Sequence, residues 1–212
     1  MNFETFIKSV SKIKNLNLPG EDSQFKLSPP FRGNLVNENR EKMKHAKKAG
    51  VMALFYPKDK DTFLILILRK TYKGVHSAQV GFPGGRFEEE DVNLQNTALR
   101  ETYEEVGVEM DTVEVLKPMT SLYIPPSNFI VAPFLAVTNE TPSFIKQDDE
   151  VEDLIEVKLI DLLDDRNVSD VRVMTSYHVE LEVPAFILNG HVVWGATAMM
   201  LSELKDLLKK AL

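Results

Sequence analysis

Residues 82–108 read FPGGRFEEEDVNLQNTALRETYEEVGV, and this stretch decides the fold. It opens with a Pro-Gly-Gly bend, after which apolar side chains recur at helical spacing from Leu94 to Val106. Gly107 follows at once, in the place where helices commonly end in a left-handed residue. The pattern therefore predicts a loop, a helix over Leu94–Val106 and a second loop.

Three carboxylates of this predicted helix, Glu101, Glu104 and Glu105, are spaced i, i+3 and i+4. Side chains at that spacing are neighbours, so their like charges destabilise the helix slightly. An acidic helix taken alone is most often a solvated face. A hard divalent cation takes several oxygen ligands and would turn the repulsion into attraction. Arg100, four residues before Glu104, can hold one of the carboxylates.

The chain has 212 residues, a net charge of −7 and no cysteine. Its length suits a single domain over residues 1–212. The negative charge opposes binding to nucleic acid, whose phosphates it repels. The absence of cysteine excludes thiolate catalysis and fits a reducing compartment. No stretch approaches the ~20 apolar residues of a membrane helix. We therefore expect a cytoplasmic protein with neither nucleic acid nor membrane as a partner.

Helical and strand patterns alternate along the rest of the chain. An amphipathic helix reaching about Asn15 and a polar, basic segment up to Lys48 predict a helical N-terminal extension over residues 1–48. Residues 62–68 are apolar at every position after Thr62, which suits a central strand covered on both faces. Asn189-Gly190 predicts a tight hairpin turn. The mixture predicts an α/β (α+β) layered domain.

The stretch from Gly85 to Val108 resembles the Nudix box, a family motif of a glycine, a spaced acid, Arg-Glu, Glu-Glu and a closing glycine. The resemblance implies a Nudix-like α/β/α sandwich with a mixed central sheet, and it places the box at about residues 85–108. It also implies Mg²⁺ or Mn²⁺ as the cofactor, with Glu101, Glu104 and Glu105 as metal ligands and Arg100 as their orienting partner. Two departures are the longer spacing between Asp91 and Arg100 and the polar Thr102 in a slot that is usually apolar.

The entry Phe82-Pro83-Gly84-Gly85 and the longer spacing resemble the coenzyme A pyrophosphatase-like branch of the family. Upstream, Ile65-Leu66-Ile67-Leu68-Arg69 matches part of that branch's motif, so Arg69 carries over as a phosphate contact. The branch's second arginine is replaced by Gly74, so Lys70 or Lys73 would supply that charge. The substrate-binding residues expected from the resemblance are Arg69, Lys70, Lys73, Gly84, Gly85 and Arg86.

A general base would come from the box glutamates or from the acidic residues 148–152, which precede a predicted strand. In related folds a glutamate from a loop in that place often reaches the metal. The catalytic candidates are therefore Glu101, Glu104, Glu105, Arg100, Glu150 and Glu152. For Glu150 and Glu152 the alternative is an ordinary exposed acidic loop.

The resemblance implies metal-dependent hydrolysis of a nucleotide-linked diphosphate, with coenzyme A or acyl-CoA cut to 3′,5′-ADP and 4′-phosphopantetheine or its acyl form. One alternative is a Nudix hydrolase of ADP-ribose or another nucleoside diphosphate derivative, because the box handles only the shared diphosphate. A second is a non-catalytic, nucleotide-sensing domain, against which the three intact glutamates argue. The expected partner is a small-molecule nucleotide diphosphate, and a homodimer stays open.

Overall fold

The computed structural model describes residues 1–70, 79–174 and 179–212. The helices in these ranges are α1 (Phe3–Asn15), α2 (Glu21–Gln24), α3 (Arg32–Glu38), α4 (Arg40–Met43), α5 (Leu94–Val106), α6 (Leu159–Leu163) and α7 (Gly195–Ala211). The strands are β1 (Lys47–Lys58), β2 (Asp61–Arg69), β3 (Val80–Gly81), β4 (Gly84–Arg86), β5 (Glu114–Pro118), β6 (Leu122–Ile124), β7 (Phe129–Val137), β8 (Val151–Lys158), β9 (Val168–Met174), β10 (Glu180–Leu188) and β11 (His191–Trp194). The predicted bounds of α5 are confirmed, and Gly107 ends it with a φ of 74°.

A mixed sheet of eight strands forms the centre of the fold. Its main path is β3-β2-β1-β7-β5, while β4 pairs with β1, β6 with β7 and β8 with β2. Strands β1 and β7 run parallel, from Lys47 beside Phe129 to Phe55 beside Val137. The other pairs in this sheet are antiparallel. The predicted mixed central sheet is confirmed.

Helices cover both faces of this sheet. On one face Ala98 and Val106 of α5 pack into a cluster with apolar side chains of β1 and β2. On the other face α1 and α7 contribute to a second cluster. Strand β2 feeds both clusters, because Leu64 and Leu66 point to one and Ile65 and Ile67 to the other. This explains its unbroken apolar run and confirms the α/β/α sandwich.

A second sheet has the order β11-β10-β9 and is antiparallel throughout. The turn predicted at Asn189-Gly190 is confirmed, with positive φ values of 48° and 80°. The sequence pattern did not predict β9, since its side chains are exposed or half-buried and it lacks an apolar face.

The N-terminal helices are attached to the last helix by a buried polar network. Glu203 of α7 is fully buried and accepts hydrogen bonds from the Gly20 backbone N–H at 3.1 Å and from Gln24 Nε2 at 3.0 Å. Thr120 Oγ1 donates to the same carboxylate. The predicted extension over residues 1–48 holds α1 to α4, although Lys47 and Lys48 already belong to β1. None of the helices in the described ranges has the length and apolar character needed to span a membrane.

Candidate active site

Strand β4 lies directly against the acidic face of α5. The Gly84 backbone N–H donates a 2.7 Å hydrogen bond to Glu105 Oε2. A Cβ at Gly85 would lie 2.4 Å from the carboxylate of Glu101, so any larger residue there would force that side chain to move. The Pro-Gly-Gly bend thus brings backbone and carboxylates into direct contact.

Glu105 is the buried member of the acidic set, with 1% of its surface exposed. Its Oε1 lies 3.4 Å from Arg69 Nη1 but receives no hydrogen bond from the described residues. Burial raises the pKa of Glu105 to about 7, against the opposing effects of Arg69 and the Gly84 N–H. The charges of Glu101 and Glu150 raise this pKa further. The positive groups near this carboxylate therefore do not offset the cost of burying its charge.

Arg100 organises the other two glutamates. Its Nη2 lies 3.1 Å from Glu101 Oε1, and its Nη1 donates to Glu104 Oε2 at 2.9 Å. Burial raises the pKa of Glu101, and the charge of Arg100 opposes that shift. Glu104 is the open member of the set, with 51% of its side chain exposed. The structure thus places Arg100 in contact with both carboxylates, in the position expected of an orienting residue.

Asp91 holds Arg100 in turn, and it was not among the predicted site residues. Arg100 Nε donates to Asp91 Oδ1 at 2.7 Å, and Nη2 donates to Oδ2 at 3.1 Å. Thr97 Oγ1 and the Glu88 N–H also donate to Oδ2. The hydrogen bond from Arg100 lowers the pKa of Asp91 to about 2. The signal in the sequence was the spaced acid of the box, which falls on Asp91.

Thr102, the polar residue in a usually apolar slot, is buried and satisfied within its own helix. Its Oγ1 donates a 2.6 Å hydrogen bond to the Ala98 carbonyl. A buried hydroxyl with a partner costs little. The departure from the box pattern therefore leaves the helix intact.

The two acids predicted from the loop before β8 are placed differently. Glu150 lies in the turn before β8, and its carbonyl accepts a hydrogen bond from the Lys70 N–H at 2.9 Å. The charge of Glu150 raises the pKa of both Glu101 and Glu105, so its side chain lies within electrostatic range of the box. Glu152 is exposed on β8 and, within the described ranges, forms no hydrogen bond or ion pair with α5. The structure brings Glu150 to the site and leaves Glu152 apart.

Four of the six predicted substrate-binding residues line a cavity of about 390 Å³, namely Arg69, Gly84, Gly85 and Arg86. Arg69 also donates to the Gly84 carbonyl at 3.4 Å, which ties the end of β2 to β4. Lys70 does not line the cavity, and Lys73 lies outside the described residues. The remaining walls come from the N-terminal segment, the β6–β7 turn and the start of α7, which the sequence did not single out.

The donor set fits a hard divalent cation in chemical type. Glu101, Glu104 and Glu105 offer carboxylate oxygens, the ligands that Mg²⁺ and Mn²⁺ prefer. Glu105 Oε1 is buried without a hydrogen-bond donor, so an ion there would meet an unsatisfied acceptor. Among residues 1–70, 79–174 and 179–212, no three acidic or histidine side chains are placed so that they could hold a metal ion without moving. Glu101 and Glu104 are instead paired with Arg100.

Comparison with known proteins identifies the family. Residues 45–177 match the model of the NUDIX domain. The chain belongs to the Nudix family. The matched range contains the whole Nudix box and strands β1 to β9, whereas α1 to α4 and α7 lie outside it. Nudix hydrolases are generally dependent on a divalent metal.

Two similar proteins carry a substrate in their names. Mitochondrial coenzyme A diphosphatase NUDT8 of Mus musculus is 33% identical over 129 residues, which cover 60% of this chain and 61% of that protein. The Homo sapiens protein of the same name is 30% identical over 128 residues, covering 60% and 54%. The chain therefore matches little more than half the length of these relatives. The uncharacterized Nudix hydrolase NudL of Yersinia pestis (strain Pestoides F) is 27% identical over 191 residues, covering 86% and 90%.

Solved Nudix structures overlap with part of the chain. The NUDIX domain of Shewanella oneidensis NrtR complexed with ADP ribose is 21% identical, covers 56% of this chain and 76% of that chain, and has a TM-score of 0.46. A MutT/nudix family protein from Enterococcus faecalis is 18% identical, covers 78% and 61%, and has a TM-score of 0.49.

Proposed function

We propose that this Nudix protein hydrolyses the diphosphate of coenzyme A or an acyl-CoA, with Mg²⁺ or Mn²⁺ as cofactor. The products would be 3′,5′-ADP and 4′-phosphopantetheine or its acyl form. The observation that carries the proposal is the contact of buried Glu105 with Gly84 and Arg69, two residues that line a cavity large enough for a nucleotide. The resemblance of the Phe82–Gly85 entry to one branch and the similarity to the two NUDT8 proteins support the choice of substrate.

The chemistry of this site is suited to a phosphoanhydride, whose negative oxygens repel a nucleophile. When bound, a divalent ion would screen those oxygens and lower the pKa of a coordinated water. Glu101, Glu104 and Glu105 would hold the ion. Arg69 places a cation next to the glycines, where it can bind a phosphate. Gly84 and Gly85 present backbone without side chains, so the diphosphate can approach closely.

We assign the role of general base to Glu150. It is an exposed carboxylate on a loop, and its charge acts on both Glu101 and Glu105. Glu152, two residues on, has the same charge without that proximity.

The substrate is tested by incubating the full chain with coenzyme A, acetyl-CoA, ADP-ribose, NADH and deoxynucleoside triphosphates. Each is assayed with Mg²⁺, with Mn²⁺ and with EDTA, and the products are identified by chromatography. We expect metal-dependent release of 3′,5′-ADP from coenzyme A. Hydrolysis confined to ADP-ribose would overturn the choice of coenzyme A. Binding of nucleotides without hydrolysis of any diphosphate would favour the sensing domain.

A cytoplasmic location and a homodimer stay predictions. Cell fractionation checks the first. Light scattering coupled to size-exclusion chromatography checks the second, with a mass near twice the 24.0 kDa of the chain expected for a dimer.

A further inference from the structure

The wall of the cavity is mostly apolar. Arg69 and strand β4 line it beside the box. The apolar part of the wall comes from segments that are far apart in sequence, represented by Leu35, Phe129 and Trp194. A group that is bound through its diphosphate at Arg69 and β4 would therefore meet apolar side chains in the rest of the cavity.

Arg32 is a charged residue within this apolar wall. It lines the cavity with only 9% of its surface exposed. Its Nη2 donates to the Tyr123 carbonyl, while its Nε is shielded from solvent and has no hydrogen-bond partner among the described residues. Within the described ranges no carboxylate forms an ion pair with it, and the charge of Glu21 acts only at longer range. At least one of the five N–H donors of this guanidinium is therefore buried and unsatisfied.

Burying the charge of Arg32 in an apolar wall costs free energy when no ligand is bound. Burial lowers the pKa of Arg32, which means that the surroundings disfavour its charged form. Buried charges are normally paired, and an unpaired one calls for an explanation such as a missing ion. An anion that enters the cavity would remove the cost.

A second unsatisfied group lies in the same cavity. Ser127, in the β6–β7 turn, lines it, and its Oγ is buried and has no hydrogen-bond partner in the part of the chain that the structure describes. Ser127 and Arg32 come from different segments of the chain, so one local distortion does not account for both. Their shared feature is the cavity.

We propose that Arg32 binds the phosphate monoester of the substrate's nucleotide and so determines specificity, with Ser127 as a second donor. This inference rests on the proposed function, because coenzyme A carries such a phosphate on its ribose and ADP-ribose does not. The diphosphate would lie between Arg69 and β4, and the adenosine would fill the apolar space beside Phe129 and Trp194. Arg32 lies outside residues 45–177, so this contact is supplied by the N-terminal segment and not by the family domain.

The purely structural alternative is that Arg32 serves only to attach α3 to the Tyr123 carbonyl. The two roles predict different effects of an Arg32 substitution on substrates with and without the ribose phosphate. A structural arginine affects all substrates alike, whereas a phosphate-binding arginine affects only those that carry the phosphate.

The test compares coenzyme A with dephospho-CoA, which differs only in lacking the ribose phosphate. The variants are Arg32→Gln, Arg32→Lys and Ser127→Ala, with the exposed Arg40→Gln as the matched control. We expect Arg32→Gln to lower kcat/KM for coenzyme A roughly 10- to 100-fold, the range of a lost charge-assisted hydrogen bond. The kcat/KM of Arg32→Gln for dephospho-CoA should change less than about twofold, because this substrate lacks the phosphate that Arg32 would bind. Arg32→Lys should restore part of the loss for coenzyme A, because lysine keeps the positive charge.

Calorimetric binding of 3′,5′-ADP and of ADP keeps the inference independent of turnover. If the wild type hydrolyses no coenzyme A, the proposed function fails, while selective loss of 3′,5′-ADP binding in Arg32→Gln would still support the phosphate site. Equal losses for both ligands, or no loss for either, would overturn it. If Arg32→Gln does not fold, Ser127→Ala decides, since it should weaken only the ligands with the ribose phosphate.

Discussion

Two regions of the molecule treat their polar groups in opposite ways: the Nudix box, which we call the box end, and the apolar wall of the cavity. At the box end, Arg100 is shared among Asp91, Glu101 and Glu104, and each of these groups has a partner in the protein. In the apolar wall, Arg32 and Ser127 each have a buried atom with no hydrogen-bond partner among the described residues. A group that is satisfied by its neighbours is held in a fixed position, whereas an unsatisfied one is free to bind a ligand. Glu105 combines the two cases, because one of its oxygens is bonded and the other is not.

The largest effect is expected for Glu105→Gln, which keeps the shape of the side chain and an acceptor for the Gly84 N–H but removes the charge. We expect turnover to fall roughly 1000-fold, which corresponds to about 4 kcal/mol of lost transition-state stabilisation. Steady-state assays with coenzyme A and Mg²⁺ measure it. Glu109→Gln, an exposed glutamate just after the box helix, is the control. Near-normal turnover in Glu105→Gln would remove this residue from the ligand set.

The same residue makes a prediction for the metal-free protein. The pKa of Glu105 is raised to about 7 by burial, so between about pH 4.5 and pH 7 the folded state binds more protons than the unfolded state. Stability should therefore fall as the pH rises through this window, by up to about 3 kcal/mol. Urea unfolding in EDTA from pH 5 to pH 8 measures this slope. Glu105→Gln should flatten it, and an unchanged slope in that variant would contradict the assignment.

A smaller loss is expected for Glu150→Gln. Removing a general base costs roughly 100-fold in turnover, and Glu152→Gln in the same loop is the matched control, with an expected change below about twofold. Steady-state assays with coenzyme A and Mg²⁺ measure both variants. Equal effects of the two substitutions would mean that the loop acts through its overall charge.

Asp91→Asn tests how the box end is held together. The pKa of Asp91 is lowered to about 2 mainly by the hydrogen bond from Arg100, so its contribution to stability is present at neutral pH and disappears as the pH falls from about 4 to 2. We expect the variant to be less stable by about 2 kcal/mol at pH 7 and to match the wild type at the acid end. Chemical denaturation at pH 7 and pH 3 measures this difference. A loss that is equal at both pH values would point to altered packing instead.

The smallest effect is expected for Glu203→Gln, which tests the attachment of the N-terminal helices. The amide keeps the shape but loses the charge that strengthens the hydrogen bonds from Gly20, Gln24 and Thr120. We expect a loss of about 1 kcal/mol in the free energy of unfolding, with Glu38→Gln, exposed on α3, as the control. A stability equal to that of the wild type would show that apolar contacts alone hold these helices.

The box end could be predicted from the sequence because its contacts are local. The helix bounds, the closing Gly107 and the neighbouring carboxylates all follow from spacing within one turn or two. Asp91 and Arg100 are nine residues apart, and Gly84 and Glu105 are 21 apart. The mixed sheet and its helical layers were predicted through the family resemblance, and both are confirmed.

The apolar wall of the cavity could not be predicted from local spacing. Arg32 meets the Tyr123 carbonyl across 91 residues, and Gln24 meets Glu203 across 179. In the sequence Arg32 is a lone arginine after two prolines and a phenylalanine, with no spacing or motif that marks it. Only the folded chain shows that its surroundings are apolar. Lys70 does not line the cavity, and its contact with the substrate stays a prediction.

The anchoring of Glu203 has a consequence for how this protein can be shortened. Trimming the chain at its N-terminal side to the start of the matched range would strip a fully buried carboxylate of its partners at Gly20 and Gln24. The carboxylate of Glu203 would then lack these partners on α7, the helix whose Met199 and Met200 line the cavity. The beginning and the end of the chain are thus mutually dependent, and both contribute residues to the cavity wall beside the Nudix domain.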